Sequence, residues 1–126
     1  MRIEISPGEL ADRMTILDIK IERIKDPQKL ANVQRERAAN WPAFQEEVSS
    51  DPRVHGLCAE LRKVNETLWD VEDAVRECER RRGFGAKFIR LARSVYRHND
   101  RRAALKREIN VILGSGLIEE KSYAKY

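Results

Sequence analysis

The chain has little of several things, and each shortage rules something out. Its 126 residues contain no apolar run of the roughly 18 residues needed to span a bilayer. Only two cysteines are present, Cys58 and Cys78, so no disulfide framework or thiolate metal cluster holds the fold. Both fall on one helical segment, about 30 Å apart along it, which puts an intrachain disulfide out of reach. They are expected to be reduced and to pack as small hydrophobes. Six glycines and four prolines leave few breakpoints, and no glycine-rich loop carries the lysine of a phosphate-binding motif. Aromatic residues are 6% of the chain, so aliphatic side chains must build the core.

Charge is what the chain has in abundance, at 37% of residues with a net +4. It is unevenly placed. Residues 80–107 hold eleven Lys and Arg against the single acid Asp100, a local charge of +10, so the remainder carries −6. Such segregation points to pairing within the chain, to a subunit contact or to an anionic partner. Met1-Arg2-Ile3-Glu4-Ile5 leads straight into a helix-capping sequence and has no signal-peptide core, which reads as cytoplasmic.

Three helix starts share one chemistry. Ser6-Pro7-Gly8-Glu9 offers a capping serine, a proline at the first helical position and a glutamate placed to close a capping box. Asp26-Pro27 and Asp51-Pro52 repeat the cap-then-proline signal. Leu10, Met14, Leu17, Ile21 and Ile24 give the first helix, about 7–25, one apolar face. Ile19 lies nearly opposite, as in a central helix or one covered by another subunit. Leu30, Val33, Arg37, Trp41, Phe44 and Val48 outline a second helix, in which Pro42 predicts a break.

Val54, Leu57, Leu61, Val64, Leu68, Val71, Val75 and Cys78 alternate by three and four, giving a third helix over about 52–82. Gly83-Phe84-Gly85 should end it through a left-handed glycine cap. A fourth helix follows over about 86–113, so the two form a long antiparallel hairpin. Trp69 and Tyr96 mark the flank on which the first helix should pack, and the 115–126 tail carries enough apolar residues to dock. The expected fold is a single all-α domain over 1–126, a helical bundle built on that hairpin.

The fourth helix contains the strongest functional clue. Its stripe runs Phe88, Leu91, Val95, then His98 and Arg102, then Leu105, Ile109 and Ile112. Burying an arginine without a partner costs several kcal/mol, so roughly that penalty must be offset. The facing Val64, Leu68 and Val71 offer nothing. Asp12 or Asp18 from the first helix, or Glu66 and Asp70 reaching around, are the candidate partners. The outcome is either a register-setting polar layer or an anion pocket drawing on Arg13, His98, Asn99 and Arg102. A row at Arg90, Arg93, Arg97 and Arg101 adds a basic outer face, with Glu66, Asp70, Asp73 and Glu77 as an acidic row on the third helix. These rows, with the two-sided first helix, predict a homodimer in which they meet between subunits. Nucleic acid is disfavoured, because the adjoining acidic face repels phosphate and no recognition motif accompanies the arginines. His55 and Cys58 are two metal-type ligands without a third, so no metal and no cofactor is expected. The role read from these features is a non-catalytic interaction or adaptor module. Arg97, Arg101 and their neighbours would contact an acidic protein partner or small anion.

Ser6-Pro7-Gly8-Glu9-Leu10, Leu68-Trp69-Asp70-Val71-Glu72-Asp73, Asn99-Asp100-Arg101-Arg102-Ala103-Ala104-Leu105-Lys106 and Glu119-Glu120-Lys121-Ser122-Tyr123 together carry a resemblance. The chain resembles a family of short all-helical bacterial and phage proteins catalogued only as a domain of unknown function. That resemblance implies no activity and assigns no site residue. A looser likeness is to the all-helical chorismate mutases, which hold a dicarboxylate transition state among interior arginines. It implies an enzyme alternative resting on Arg13, Asn99, Arg102 and Lys106. The first helix lacks the motif of those enzymes.

Overall fold

The computed structural model describes residues 1–126 and is all-α, without strands. Helix α1 spans Pro7–Arg23, α2 Pro27–Phe44, α3 His55–Arg81 and α4 Ala86–Ile112. A single π-helical stretch, Gln45–Ser49, prolongs α2, and a 3-10 turn, Pro52–Val54, leads into α3. No helix is long and apolar enough to cross a membrane.

The three caps form as their chemistry dictates. Ser6 Oγ accepts from the Glu9 amide at 3.1 Å. Asp26 accepts from the Gln28 and Lys29 amides, and Asp51 from Arg53 at 2.9 Å. Two local expectations need correction. Glu9 does not close a capping box; its carboxylate reaches Lys106 Nζ at 2.6 Å, a stronger, charged partner. The left-handed residue ending α3 is Arg82, with φ 54°, and not Gly83. The Gly83 amide then closes the turn on the Cys78 carbonyl at 2.9 Å.

Pro42 does not break α2, which runs through it to Phe44 before widening into the π stretch. Pro42 and Ala38, whose carbonyl loses its amide partner, both face solvent, so water can satisfy that carbonyl. The π stretch falls where the chain must bring Val48 inward, and Val48 is fully buried.

α1 is central. It packs on α2, α3 and α4, and Leu10, Met14, Leu17 and Ile19 are all buried within one chain. Its two-sided apolar pattern therefore finds its cover without a second subunit. At 17 residues it is roughly 25 Å long, against about 40 Å for the 27-residue α3 and α4. It runs along the hairpin from Asn110 to Trp69, where the Arg23 guanidinium lies 5.8 Å from the ring centroid. It does not reach Tyr96 or Ile89, which stay 41% and 54% exposed. The flank predicted for α1 is thus covered only as far as Trp69. The molecule consists of a body, holding the core around Leu17, Val48, Val54, Leu61, Leu105 and Ile109, and a two-helix arm beyond it.

α1 enters the bundle through a close approach. The Gly8 amide donates to Asn110 Oδ1 at 2.7 Å, and a Cβ on Gly8 would collide with the Lys106 carbonyl. Only glycine lets the two helix backbones meet there. Gly8→Ala should therefore cost about 1–3 kcal/mol, as overpacking does, and lower the melting temperature correspondingly. An unchanged melting temperature would mean that α1 can shift freely.

The Asp51 cap generates a second prediction. Hydrogen bonds from Arg53, side chain then backbone, hold the Asp51 carboxyl well below the ordinary range, to about 2. A lowered folded value means the stabilisation is complete above the unfolded pKa, near 4, and is lost as pH falls towards 2. Asp51→Asn keeps the capping oxygen but cannot titrate. Its melting temperature should fall less than that of the natural chain between pH 5 and pH 2.

Candidate functional site

The polar break in α4 is filled from α1. Arg102 donates from Nε to Asp12 Oδ1 at 2.9 Å and from Nη2 to Oδ2 at 2.5 Å, a bidentate pair. Asp12 is 1% exposed. Asn65 of α3 donates to the same carboxylate at 2.9 Å and to Thr15 Oγ at 2.8 Å. Thr15 in turn donates to the Asp12 carbonyl at 2.7 Å. Three helices therefore meet on one carboxylate, and no sealed side-chain polar atom lacks a partner. The hydrogen bonds that Arg102 donates to Asp12 raise its pKa further above the usual value despite partial burial.

One turn along, Lys106 lies between Glu9 at 2.6 Å and Glu119 of the tail at 3.0 Å. Burial alone would depress its pKa, but the two carboxylates more than offset this and raise it. Lys106 is thus a fixed cation and not a base.

The residues singled out by sequence separate into three settings. Arg102 belongs to the buried layer. Arg13 is half-exposed at the layer's edge, 3.8 Å from Glu9 and 3.7 Å from Glu36. His98 is half-buried, with Nδ1 2.8 Å from the Ser94 carbonyl of its own helix. Asn99 faces the α1 side and makes no hydrogen bond; it lines a groove of about 480 Å³ with Ile16, Ile19, Asn65, Leu68, Trp69 and Arg102, rimmed by Glu72, Asp73 and Arg76. Arg97 and Arg101 come two residues to either side of Asn99, roughly 200° around the helix, and so face away from α1. Arg101 pairs with Glu60 at 2.7 Å, whereas Arg97 has no ion-pair partner. Two other suggested partners of the break, Asp18 and Asp70, pair instead with Arg37 and Arg23, each at 2.5 Å.

The two charged rows do not balance each other. On α3, Glu66 pairs with Arg62, Asp70 with Arg23, and Glu77 with Arg80 and Arg81. The acidic row is largely satisfied inside the chain. On α4 the pattern splits. Arg101, Arg102, Lys106 and Arg107 all have carboxylate partners, the last through Glu120. Lys87, Arg90, Arg93 and Arg97 have none, nor does Arg82 at the hairpin turn.

Arg13, Lys20 and Arg102 share a small cleft with Glu9, Asp12 and Glu36, so a dicarboxylate there would meet as many acids as bases. Burial pushes the Cys58 thiol up, away from nucleophilic thiolate. His55 Nε2 lies 2.7 Å from the Ser49 carbonyl, and no group of three potential ligands could hold a metal ion.

Sequence reasoning passed over Asn65, Thr15 and Asn110. Each is a lone polar residue on an apolar helical face, and that was the available signal. The tail does not bury its apolar residues, since Leu117, Ile118, Tyr123 and Tyr126 all stay exposed. It meets α4 through Glu119 and Glu120, and Tyr126 stacks edge-on against Tyr96 with centroids 5.0 Å apart and donates to Asp100 at 2.6 Å.

Breaking the Asp12–Arg102 pair on one side strands a buried carboxylate. Arg102→Ala should cost about 3 kcal/mol, the lower part of the range for a broken buried pair because the arginine is partly exposed. In a double-mutant cycle, Asp12→Ala with Arg102→Ala should cost clearly less than the two single changes added. Additive losses would show that the pair carries no coupling.

No curated protein and no solved structure matches the chain. The family comparison does return a match, and it extends over the whole of residues 1–126. The chain belongs to the family of unknown function designated DUF6165.

Proposed function

We propose that the protein is a non-catalytic interaction module that offers the outer face of α4 to an acidic protein partner. One observation supports this reading above the others: the cations of α4 divide by position. Those against the body are neutralised by carboxylates of the chain, while Lys87, Arg90, Arg93 and Arg97 on the arm are not. Exposed arginines at helical spacing along one face suit the bidentate capture of carboxylates. Residues 70–98, which form the arm, hold eight Lys and Arg against five Asp and Glu, so the field around the arm is positive on balance.

A small anion held by Arg13 and Arg102 is the weaker reading, because both already lie beside carboxylates. A homodimer, if formed, would draw on the exposed Ile89 and Tyr96 of the arm, since Leu10, Met14, Leu17 and Ile19 of α1 are already buried within the chain.

The test is fluorescence anisotropy with a labelled glutamate-rich peptide, and with duplex DNA alongside. Reversing Arg90, Arg93 and Arg97 to Glu should abolish peptide binding. These side chains have no partner in the chain, so the melting temperature should change little. Duplex DNA bound more tightly than the peptide, with a steep loss in salt, would replace this reading with a nucleic-acid one. Peptide binding unaffected by the triple reversal would sink both.

A further inference from the structure

The groove where α1 ends contains polar groups that the fold itself does not use. Its volume of about 480 Å³ lies within the range of small-molecule sites, about 300–1,000 Å³. Ile16, Ile19, Leu68 and Trp69 give it an apolar wall. At its inner end Asn65 is 6% exposed and commits its amide nitrogen to Asp12 and Thr15. Asn65 Oδ1 has no partner, yet no sealed side-chain polar atom is unsatisfied, so this oxygen is open to solvent. The groove is the opening that Asn65 lines. Arg102 also lines the groove and is fixed on Asp12 by Nε and Nη2, which leaves Nη1 without a partner. Asn99 adds an amide with no bond of its own.

We propose that this groove binds a free α-amino acid with a large apolar side chain. Asn65 Oδ1 accepts from the ammonium group. Arg102 Nη1 and the Asn99 amide donate to the carboxylate. The side chain lies along Leu68, Trp69 and Ile16. Charge selects a zwitterion over a plain anion. Asp12 balances Arg102 and Glu72 balances Arg76, which leaves Asp73 as the one unpaired charge of the lining, so a bare carboxylate is repelled, whereas an amino acid adds no net charge and brings an ammonium group. The receptor groups are preorganised, since the hydrogen bonds to Asp12 and Thr15 hold Asn65 and Arg102 in place before anything binds. This site lies on the opposite side of α4 from Arg97, and the inference does not depend on the acidic-partner reading.

The experiment is a thermal-shift and calorimetric titration of the full chain with L-tryptophan and L-leucine. Indole-3-propionate and tryptamine, each lacking one half of the head group, serve as controls. At least one amino acid should raise the melting temperature in a concentration-dependent way, with both controls binding about tenfold or more weakly. Asn99→Leu should weaken amino-acid binding about tenfold while leaving the ligand-free melting temperature nearly unchanged. Asn65→Leu also removes a donor to Asp12 and will destabilise the fold, so Asn99→Leu is the deciding variant. The Arg90, Arg93 and Arg97 reversal should leave amino-acid binding intact. No stabilisation at about 10 mM ligand, controls equal to the amino acids, or an unaffected Asn99→Leu variant would each overturn the proposal.

Discussion

Asp12 places a negative charge where water scarcely reaches, and the rest of the bundle is arranged around its neutralisation. A carboxylate moved out of water loses roughly several kcal/mol of solvation unless charge and hydrogen bonds replace it. Arg102 supplies the charge from α4 and Asn65 a further donor from α3. Because each comes from a different helix, the pairing fixes how far α1 is inserted and which way it is turned. Above this layer Gly8 meets α4 backbone to backbone; below it Arg23 closes on Asp70. A slip of α1 by one turn would part Asp12 from both Arg102 and Asn65, so the layer discriminates between packings that hydrophobic contact alone would tolerate.

That constraint accounts for the division of labour among the basic residues. Cations within reach of α1 or the tail are absorbed by Asp12, Glu9, Glu119 and Glu120. On the arm, Arg76, Arg80 and Arg81 of α3 pair with Glu72 and Glu77, while Lys87, Arg90, Arg93 and Arg97 of α4 pair with no acid. Exposed surface pairs of this kind contribute little stability each, about 0–1 kcal/mol. Their effect is on the electrostatic field, which is cancelled over the body and left positive along the outer face of the arm.

Much of this was legible in the residues themselves. Cap chemistry located the starts of α1 and α2 and the approach to α3, because Ser6, Asp26 and Asp51 act through bonds only two or three residues long. The break in the α4 stripe called for an acid but left it open between Asp12 or Asp18 of α1 and Glu66 or Asp70 of α3; Asp12 supplies it. What sequence did not convey depends on length and direction. Pro42 reads as a breaker from its chemistry alone, yet its harm depends on whether Ala38 faces water. The covering of the Trp69–Tyr96 flank follows from α1 being shorter than the hairpin, which periodicity does not measure. The role of Asn65 was hidden because an asparagine on an apolar face is defined by its neighbours across the bundle. The left-handed turn fell on Arg82 although two glycines follow it, so composition marked the loop without marking the residue.

The mismatch in length between α1 and the hairpin has a consequence for motion. Beyond Trp69 only Val71 and Cys78 of the seam are buried, while Val75, Phe88, Leu91 and Val95 remain half-covered. Cooperative units with few buried contacts open at lower free energy than the core they adjoin. Backbone amides of the arm should therefore exchange with solvent well before those of α1 and the adjoining ends of α3 and α4. The protein then behaves as two regions of unequal firmness: a body that keeps its shape, and an arm that breathes on its own timescale.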